Sequence, residues 1–214
     1  MRYSGMPSGM WLLFSGSYGR ALTGTLGLEK RAAKDVMRRA KVRYREIILS
    51  LQDFEKGDRF KTNIVGCALF CAVLLQLPSL PEEEVLVRFY ARAQMTWATR
   101  LICKIGGRIK FSKRDIEGME RTARRNAADR NPYSWNMTMH MYPDGSGYEA
   151  RFSRCGICTL MRSLGLEDAT VAMCRFDYDM SEAGGRTRFV RKYTLASGGP
   201  YCDCGYIDRR KEKA

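Results

Sequence analysis

The chain has 214 residues, of which 45% are hydrophobic and 28% are charged, proportions typical of a folded globular protein and not of a disordered one. Its formal charge of +14 permits an acidic partner, but no nucleic-acid-binding motif accompanies the dispersed cations, so nucleic acid is not expected. The longest apolar run, residues 64–77, is shorter than the roughly 20 residues that cross a bilayer. We therefore expect a cytoplasmic protein without a signal peptide or a membrane partner.

The first half of the sequence predicts a layer of helices. Residues 1–27 are interrupted by Gly and Ser and are expected to be loosely ordered. Beyond them, apolar residues recur at helical spacing, with Trp97 expected on an inward face. The pair Gly106 and Gly107 is expected to form a turn, and Ser112 has the pattern of a helix N-cap. The predicted helices span residues 28–54, 58–77, 82–107 and 112–130.

The second half predicts strands and two further helices. Residues 133–142 and 148–153 alternate in polarity on either side of a Pro/Asp/Gly turn, which is typical of a hairpin. Helices are expected after Cys155 and around Cys174, followed by strands over 187–195 and 201–207. The fold class is α+β, with an N-terminal helical layer packed on a mostly antiparallel sheet. We expect residues 28–130 and 131–208 to form one domain, followed by a basic tail over 209–214.

The eight cysteines are unevenly distributed. Three of them, Cys67, Cys71 and Cys103, lie in apolar or helical surroundings, where a free thiol packs as a small hydrophobe. The other five fall between residues 155 and 204. Their positions are the start of a helix for Cys155 and Cys158, one helix face for Cys174 and Asp177, and one side of a strand for Cys202 and Cys204.

This spacing can bring sulfur and carboxylate from three elements to one point. A thiol at a helix N-terminus has a lowered pKa, which suits a nucleophile or a metal ligand. Three interpretations therefore stay open: a metal site, a catalytic thiol without metal, and packing. The candidate metal ligands are Cys155, Cys174, Asp177 and Cys202.

His140 is the single histidine of the chain, so a His-rich metal site is excluded. A metal held by sulfur and carboxylate would be zinc in preference to magnesium or calcium. His140 lies on the polar side of a predicted strand. It is either an exposed, hydrogen-bonded residue or a general base.

The C-terminal motifs resemble those of the L-2-amino-thiazoline-4-carboxylic acid hydrolase family. The sequence departs from that signature at Gly156, where Pro is common, and at Cys204, where Phe is usual. The second departure leaves open whether Cys204 is a ligand or fills an apolar position. A weaker similarity links the same ending to small-ligand sensor domains related to 4-vinyl reductase, which hold zinc beside a pocket. The residues that carry the main resemblance are Cys155-Gly-Ile, Gly165, Cys174 with Asp177, Arg191, Thr194-Leu-Ala, Gly198-Gly199 and Cys202-Asp203.

The resemblance implies a hydrolase that opens a cyclic amidine-like ring bearing a carboxylate. Cys155 could attack the carbon between nitrogen and sulfur, or a sulfur-bound zinc could activate water with Asp177 as base or ligand. The substrate carboxylate would be bound by Arg191 or Arg154, together with Thr194. The alternative is a zinc-stabilised sensor module without catalysis, and a homo-oligomer is compatible with either function.

Overall fold

The computed structural model describes residues 1–212, which form eight α-helices, four β-strands and two short 3₁₀ turns at Glu167–Ala169 and Leu195–Ser197. This arrangement confirms the predicted α+β class, with most helices in the first half. The helices are α1 Met6–Gly24, α2 Lys30–Ser50, α3 Lys61–Leu74, α4 Glu83–Gln94, α5 Trp97–Ile109, α6 Lys113–Ala127, α7 Gly156–Ser163 and α8 Thr170–Gly184. The strands are β1 Asn136–Met141, β2 Gly147–Arg154, β3 Thr187–Val190 and β4 Cys202–Asp208.

The sheet is antiparallel throughout, in the order β1-β2-β4-β3. Ala150 on β2 pairs with Cys204 on β4, and Phe189 on β3 pairs with Tyr206. Because side chains alternate along a strand, these residues share one face. That face is buried in an apolar cluster with Met119 of α6, so the helices cover one side of the sheet.

The larger apolar core lies among the helices and is centred on α3. All eleven residues from Ile64 to Leu74 are buried, as the apolar run predicted. Helix α7 joins this core through Met161, whose sulfur contacts Cys71 at 3.5 Å. The element that begins at Cys155 is thereby held against the centre of the helical layer.

The prediction of a loosely ordered segment over residues 1–27 was wrong. Residues Met6–Gly24 form a helix, and Tyr18 and Leu22 are fully buried in the helical core. Tyr18 accepts a hydrogen bond from Gln94 at 3.0 Å. The Ser17 hydroxyl donates to the carbonyl of Phe14, which shows how a helix accommodates the small polar residues that suggested a loop.

The single helix predicted over 82–107 is two helices, because Thr96 caps α5 by accepting a hydrogen bond from the Thr99 N–H at 3.2 Å. Trp97 therefore begins α5, and it is 78% exposed instead of facing inward. Gly106 and Gly107 lie within α5 and do not form a turn. The capping prediction for the next helix is confirmed, since Ser112 accepts from the Asp115 N–H at 3.2 Å.

The last two strands overlap the predicted ranges, but β3 ends at Val190 instead of near residue 195, and β4 extends to Asp208, one residue beyond its predicted end. Within residues 1–212, no helix combines the length and the apolar character needed to cross a membrane.

Candidate active site

The C-terminal cysteines lie on three elements that meet beside the covered face of the sheet. Cys155 is the residue before α7, and Cys174 lies on α8. Cys202 and Cys204 both belong to the buried cluster on the covered face, so they point the same way, as the strand spacing predicted. Both Cys155 and Cys202 act electrostatically on Cys174, which places the three thiols in one neighbourhood.

Cys155 occupies the position where β2 leads into α7. Its backbone is extended, with φ −130° and ψ 116°, so its sulfur lies near the unpaired N–H groups of the first helical turn. Gly156 follows, and an added Cβ there would overlap the carbonyl oxygen of Tyr133. This close approach explains the glycine at a position where proline is common in the family signature that the motifs resemble.

The surroundings of Cys155 favour its thiolate. The Cys158 thiol, followed by the backbone N–H groups of Cys158 and Ile157 and the Trp135 side chain, lowers the pKa of Cys155, and burial opposes them. The sulfur does not form a strict capping hydrogen bond, so several weak donors share the effect. Such a thiol is ionised at a lower pH than an ordinary cysteine.

The neighbouring thiols are shifted in the opposite direction. The hydrogen bond to Cys155, with burial, raises the pKa of Cys158. Burial raises the pKa of Cys174 to about 12. Burial also raises the pKa of Cys202, against the effect of the Leu195 N–H, which donates to its sulfur at 3.2 Å. Among these four thiols, Cys155 is therefore the one whose pKa is lowered.

Arg191 joins α8 to the end of the sheet. Its guanidinium donates to the Cys174 carbonyl at 2.8 Å, to the Asp177 carboxylate at 2.5 Å and to the Cys204 sulfur at 2.9 Å. The side chain is 7% exposed and lies over the Phe189 ring, while its Nε is buried without a partner. Burial raises the pKa of Asp177, and the Arg191 charge opposes this shift.

A groove of about 1370 Å³ opens above Cys174 and Arg191. One of its walls is the segment 194–198, in which Thr194 accepts a hydrogen bond from the Ser197 N–H at 3.1 Å. Thr194 therefore lines the groove and also caps the short 3₁₀ turn. Cys155 is not among the residues that line this groove. Its charged lining residues are four cations, Arg162, Arg175, Arg191 and Lys192, and four carboxylates, Glu83, Glu167, Asp168 and Asp179.

Asp203 fixes the segment that carries Arg191. Its buried carboxylate accepts from the backbone N–H groups of Lys192 at 2.8 Å and Tyr193 at 2.5 Å. These bonds turn the chain away from the sheet directly after Arg191, which is why β3 is shorter than the sequence pattern suggested. The Cys202-Asp203 motif thus supplies a buried thiol on one face of β4 and a loop anchor on the other.

Two candidate residues lie away from this group. His140 is exposed and contacts Thr138 at 3.0 Å; it pairs with Glu149, on the face of the sheet opposite to the cysteines. Arg154 donates to the Asp129 carbonyl at 2.6 Å and does not line the groove. The structure does not bring either side chain to Cys155 and Arg191.

A comparison with known families matches the model described as L-2-amino-thiazoline-4-carboxylic acid hydrolase over residues 81–206. The chain belongs to this family. The matched range runs from α4 to β4 and contains Cys155, Cys174, Asp177, Arg191 and Cys202. No curated protein and no solved structure matches the chain.

The ligand set predicted for zinc is not assembled in this member of the hydrolase family. Within residues 1–212, no three His, Cys, Asp or Glu side chains are grouped closely enough to hold a metal ion. Asp177 is instead paired with the Arg191 guanidinium. The predicted zinc site is therefore not confirmed, and no chemical step is assigned to a zinc ion.

A second polar cluster, which no sequence pattern indicated, lies on the covered face of the sheet. Lys110 donates to the Tyr148 hydroxyl at 2.5 Å, and that hydroxyl donates to Asp115 at 2.9 Å. Burial lowers the pKa of Lys110 to about 8. The three residues come from different elements, and only their contact in the folded chain relates them.

Proposed function

We propose that this chain hydrolyses a small cyclic amidine-like ring bearing a carboxylate, of the 2-aminothiazoline-4-carboxylate type, with Cys155 as the nucleophile. The observation that carries the proposal is the contrast between Cys155 and its neighbours. The pKa of Cys155 is lowered, whereas those of Cys174 and Cys202 are raised by burial. A nucleophilic thiol needs this type of activation.

The chemistry follows from the electrophilic carbon of such a ring, C2, which lies between nitrogen and sulfur. The Cys155 thiolate adds to C2, and the electrons of the C=N bond move to the ring nitrogen, which takes a proton. A ring bond at C2 then breaks and leaves the carbon attached to Cys155. Water attacks this carbon and releases the thiolate, so the net reaction adds one water molecule to the substrate.

The groove beside Cys174 and Arg191 supports binding of a carboxylate. Arg162 and Lys192 line it and can form charge-assisted hydrogen bonds with an anion, whereas Arg175 is paired with Glu83 and Glu84. Arg191 itself is largely engaged by Asp177 and Cys204. We therefore assign it the role of holding α8 and the 194–198 wall in position, with its unpaired Nε as its remaining donor.

The test is turnover of 2-aminothiazoline-4-carboxylate by Cys155→Ser. We expect a loss of about 100-fold or more, the usual scale for removal of an essential reacting group. Cys67→Ala is the matched control, since it removes a thiol buried in α3, and it should retain turnover. Mass spectrometry of the wild-type protein during turnover should detect the substrate carbon on Cys155. Full activity of folded Cys155→Ser would exclude the proposed nucleophile.

A second candidate function is a small-molecule-binding module without catalysis. The observation in its favour is that Asp177 and Cys204 both accept hydrogen bonds from Arg191. Neither side chain is therefore free to act on a substrate. Calorimetric binding of the carboxylate without turnover by the wild-type protein would favour the module. Zinc held by the Cys/Asp group stays a prediction, which elemental analysis of the purified protein tests.

A further inference from the structure

Helix α5 has small residues on its inner face and large apolar residues on its outer face, the reverse of the usual arrangement in an amphipathic helix. Its small residues face the protein: an added Cβ at Gly107 would overlap the Gly184 carbonyl oxygen on α8, and one at Gly184 would lie 3.2 Å from the Cys103 carbonyl oxygen. Its large apolar residues face outward and are 48% to 78% exposed. These five residues, which we call the α5 face, are Trp97, Leu101, Ile102, Ile105 and Ile109.

The spacing of the α5 face makes it a continuous stripe. At 100° per residue, the five side chains fall within one side of the helix, opposite Cys103 and Gly107. The helix has 13 residues and is about 20 Å long. A patch of this kind marks an interaction surface, because single exposed apolar residues do not line up along one helix.

The charges beside the α5 face indicate what covers it. Arg100, Lys104 and Arg108 recur every four residues along one edge of the stripe, and α5 contains no acidic residue. Over residues 97–114 the sequence has six Lys or Arg and no Asp or Glu; of the six, Lys110 is buried against Tyr148 and does not face a partner. The partner is therefore apolar at its centre and anionic at its margin.

We propose that α5 lies on an anionic membrane surface, with the α5 face inserted at the level of the headgroups. Interfacial helices combine Trp and aliphatic residues on one face with Lys and Arg beside it, which is the composition of α5. A second copy of this chain fits less well, because its own α5 would bring further cations and no counter-charge. The whole chain, at +14, is also attracted to an anionic surface before contact.

Binding at the membrane surface differs from crossing the membrane. It would revise the expectation, based on the short apolar runs, that the protein has no membrane partner.

The groove with Cys174 and Arg191 is formed in part by α8, the helix on which α5 packs. The proposal does not depend on the hydrolase chemistry. It holds or fails on binding alone.

The experiment is sedimentation of the full chain with vesicles of phosphatidylcholine alone and of phosphatidylglycerol and phosphatidylcholine in equal parts. We expect binding to the anionic vesicles that weakens as salt is added. Trp97 should report insertion by a blue shift of its fluorescence, since Trp11 and Trp135 are buried. Trp97→Phe should remove the shift.

Paired variants separate the α5 face from general attraction. Ile102→Asn with Ile105→Asn, and separately Lys104→Glu with Arg108→Glu, should each lower vesicle binding by about tenfold or more. The matched controls on α2 are Val42→Asn with Leu49→Asn, two exposed apolar residues, and Lys30→Glu with Arg31→Glu. Circular dichroism should show all four proteins folded.

Three outcomes would overturn the proposal. The first is equal loss of binding in the α2 and α5 charge variants, which would assign the binding to net charge alone. The second is the absence of vesicle binding. The third is a wild-type dimer in light scattering that Ile102→Asn with Ile105→Asn dissociates, which would make the α5 face a contact between copies.

Discussion

The ionisation of Cys155 is decided by a competition between burial and local donors. Burial disfavours a thiolate, and it raises the pKa of Cys174 and Cys202. At Cys155 the Cys158 thiol and two N–H groups of the first turn of α7 lower the pKa by more than burial raises it. A residue at the start of a helix has these donors available because they have no partner within the helix.

Replacing Cys158 by Ala should therefore move the pH dependence of turnover. The Cys155 thiolate forms as pH rises through its pKa, which lies below the ordinary thiol value of 9.0, so kcat/KM should rise with a midpoint below that value. Cys158→Ala removes the largest pKa-lowering contact and should shift the midpoint to higher pH. Cys103→Ala, on the distant α5, is the control and should leave the profile unchanged. An unmoved midpoint in Cys158→Ala would mean that the helix donors are sufficient.

Asp203 should be a structural residue of the site. Asp203→Ala leaves the N–H groups of Lys192 and Tyr193 without their acceptor, which should lower the free energy of unfolding by about 1–3 kcal/mol and raise KM. Asp203→Asn keeps one acceptor oxygen and should lose less. Urea unfolding measures the free energy of unfolding of these variants. The control is Asp35→Ala, which breaks an exposed ion pair and should change the free energy of unfolding by about 0–1 kcal/mol. If Asp203→Ala were as stable as the wild type, Asp203 would not have this structural role.

Local spacing predicted part of the site, and tertiary contacts decided the rest. The start of a helix at Cys155 and the shared side of Cys202 and Cys204 follow from periodicity along the chain, and both predictions were right. The pairing of Arg191 with Asp177 joins α8 to the residue after β3. No pattern in the sequence specifies that contact.

At the scale of elements, the main errors concern glycine and small polar residues. A Gly pair inside an apolar pattern suits a turn, yet Gly106 and Gly107 are helical because α5 approaches α8 closely. The same ambiguity affected α1, whose Gly and Ser residues suggested a loop. Ser112 was predicted correctly, since a cap depends on residues three apart in sequence.

The two glycines of α5 should respond differently to the same substitution. Gly107→Ala places a Cβ against the backbone of Gly184, which should displace α5 and lower the free energy of unfolding by about 1–3 kcal/mol. Gly106→Ala has no atom within 4 Å of the added Cβ and should stabilise the helix by up to about 1 kcal/mol. Thermal unfolding of the pair provides the test, and a stable Gly107→Ala protein would contradict the close packing of α5 on α8.

At the scale of the whole molecule, the helices outside the family match are part of the structure that holds the site. Residues 81–206 contain three strands and most of β4, but α1, α2 and α3 precede them. Helix α3 is the centre of the larger core, and α7 packs on it through Met161 and Cys71. The position of Cys155 thus depends on a helix that the family match does not include, which supports the expectation of one folding unit.

Removal of residues 1–25 should therefore unfold the protein. This deletion exposes the surface on which Trp11, Phe14, Tyr18 and Leu22 are buried. At about 1.5–3 kcal/mol for each buried side chain, the loss is comparable to the 5–15 kcal/mol that stabilises a typical domain. Near-ultraviolet circular dichroism and urea unfolding should show no cooperative transition, and turnover should be absent. A chain that ends at Arg210 is the control, because the contact of Lys211 with the Gly145 carbonyl, which it loses, is exposed; this chain should unfold as the full chain does. If the deletion protein keeps a cooperative transition and its activity, α1 is an accessory to the domain and the site is supported by the remaining helices.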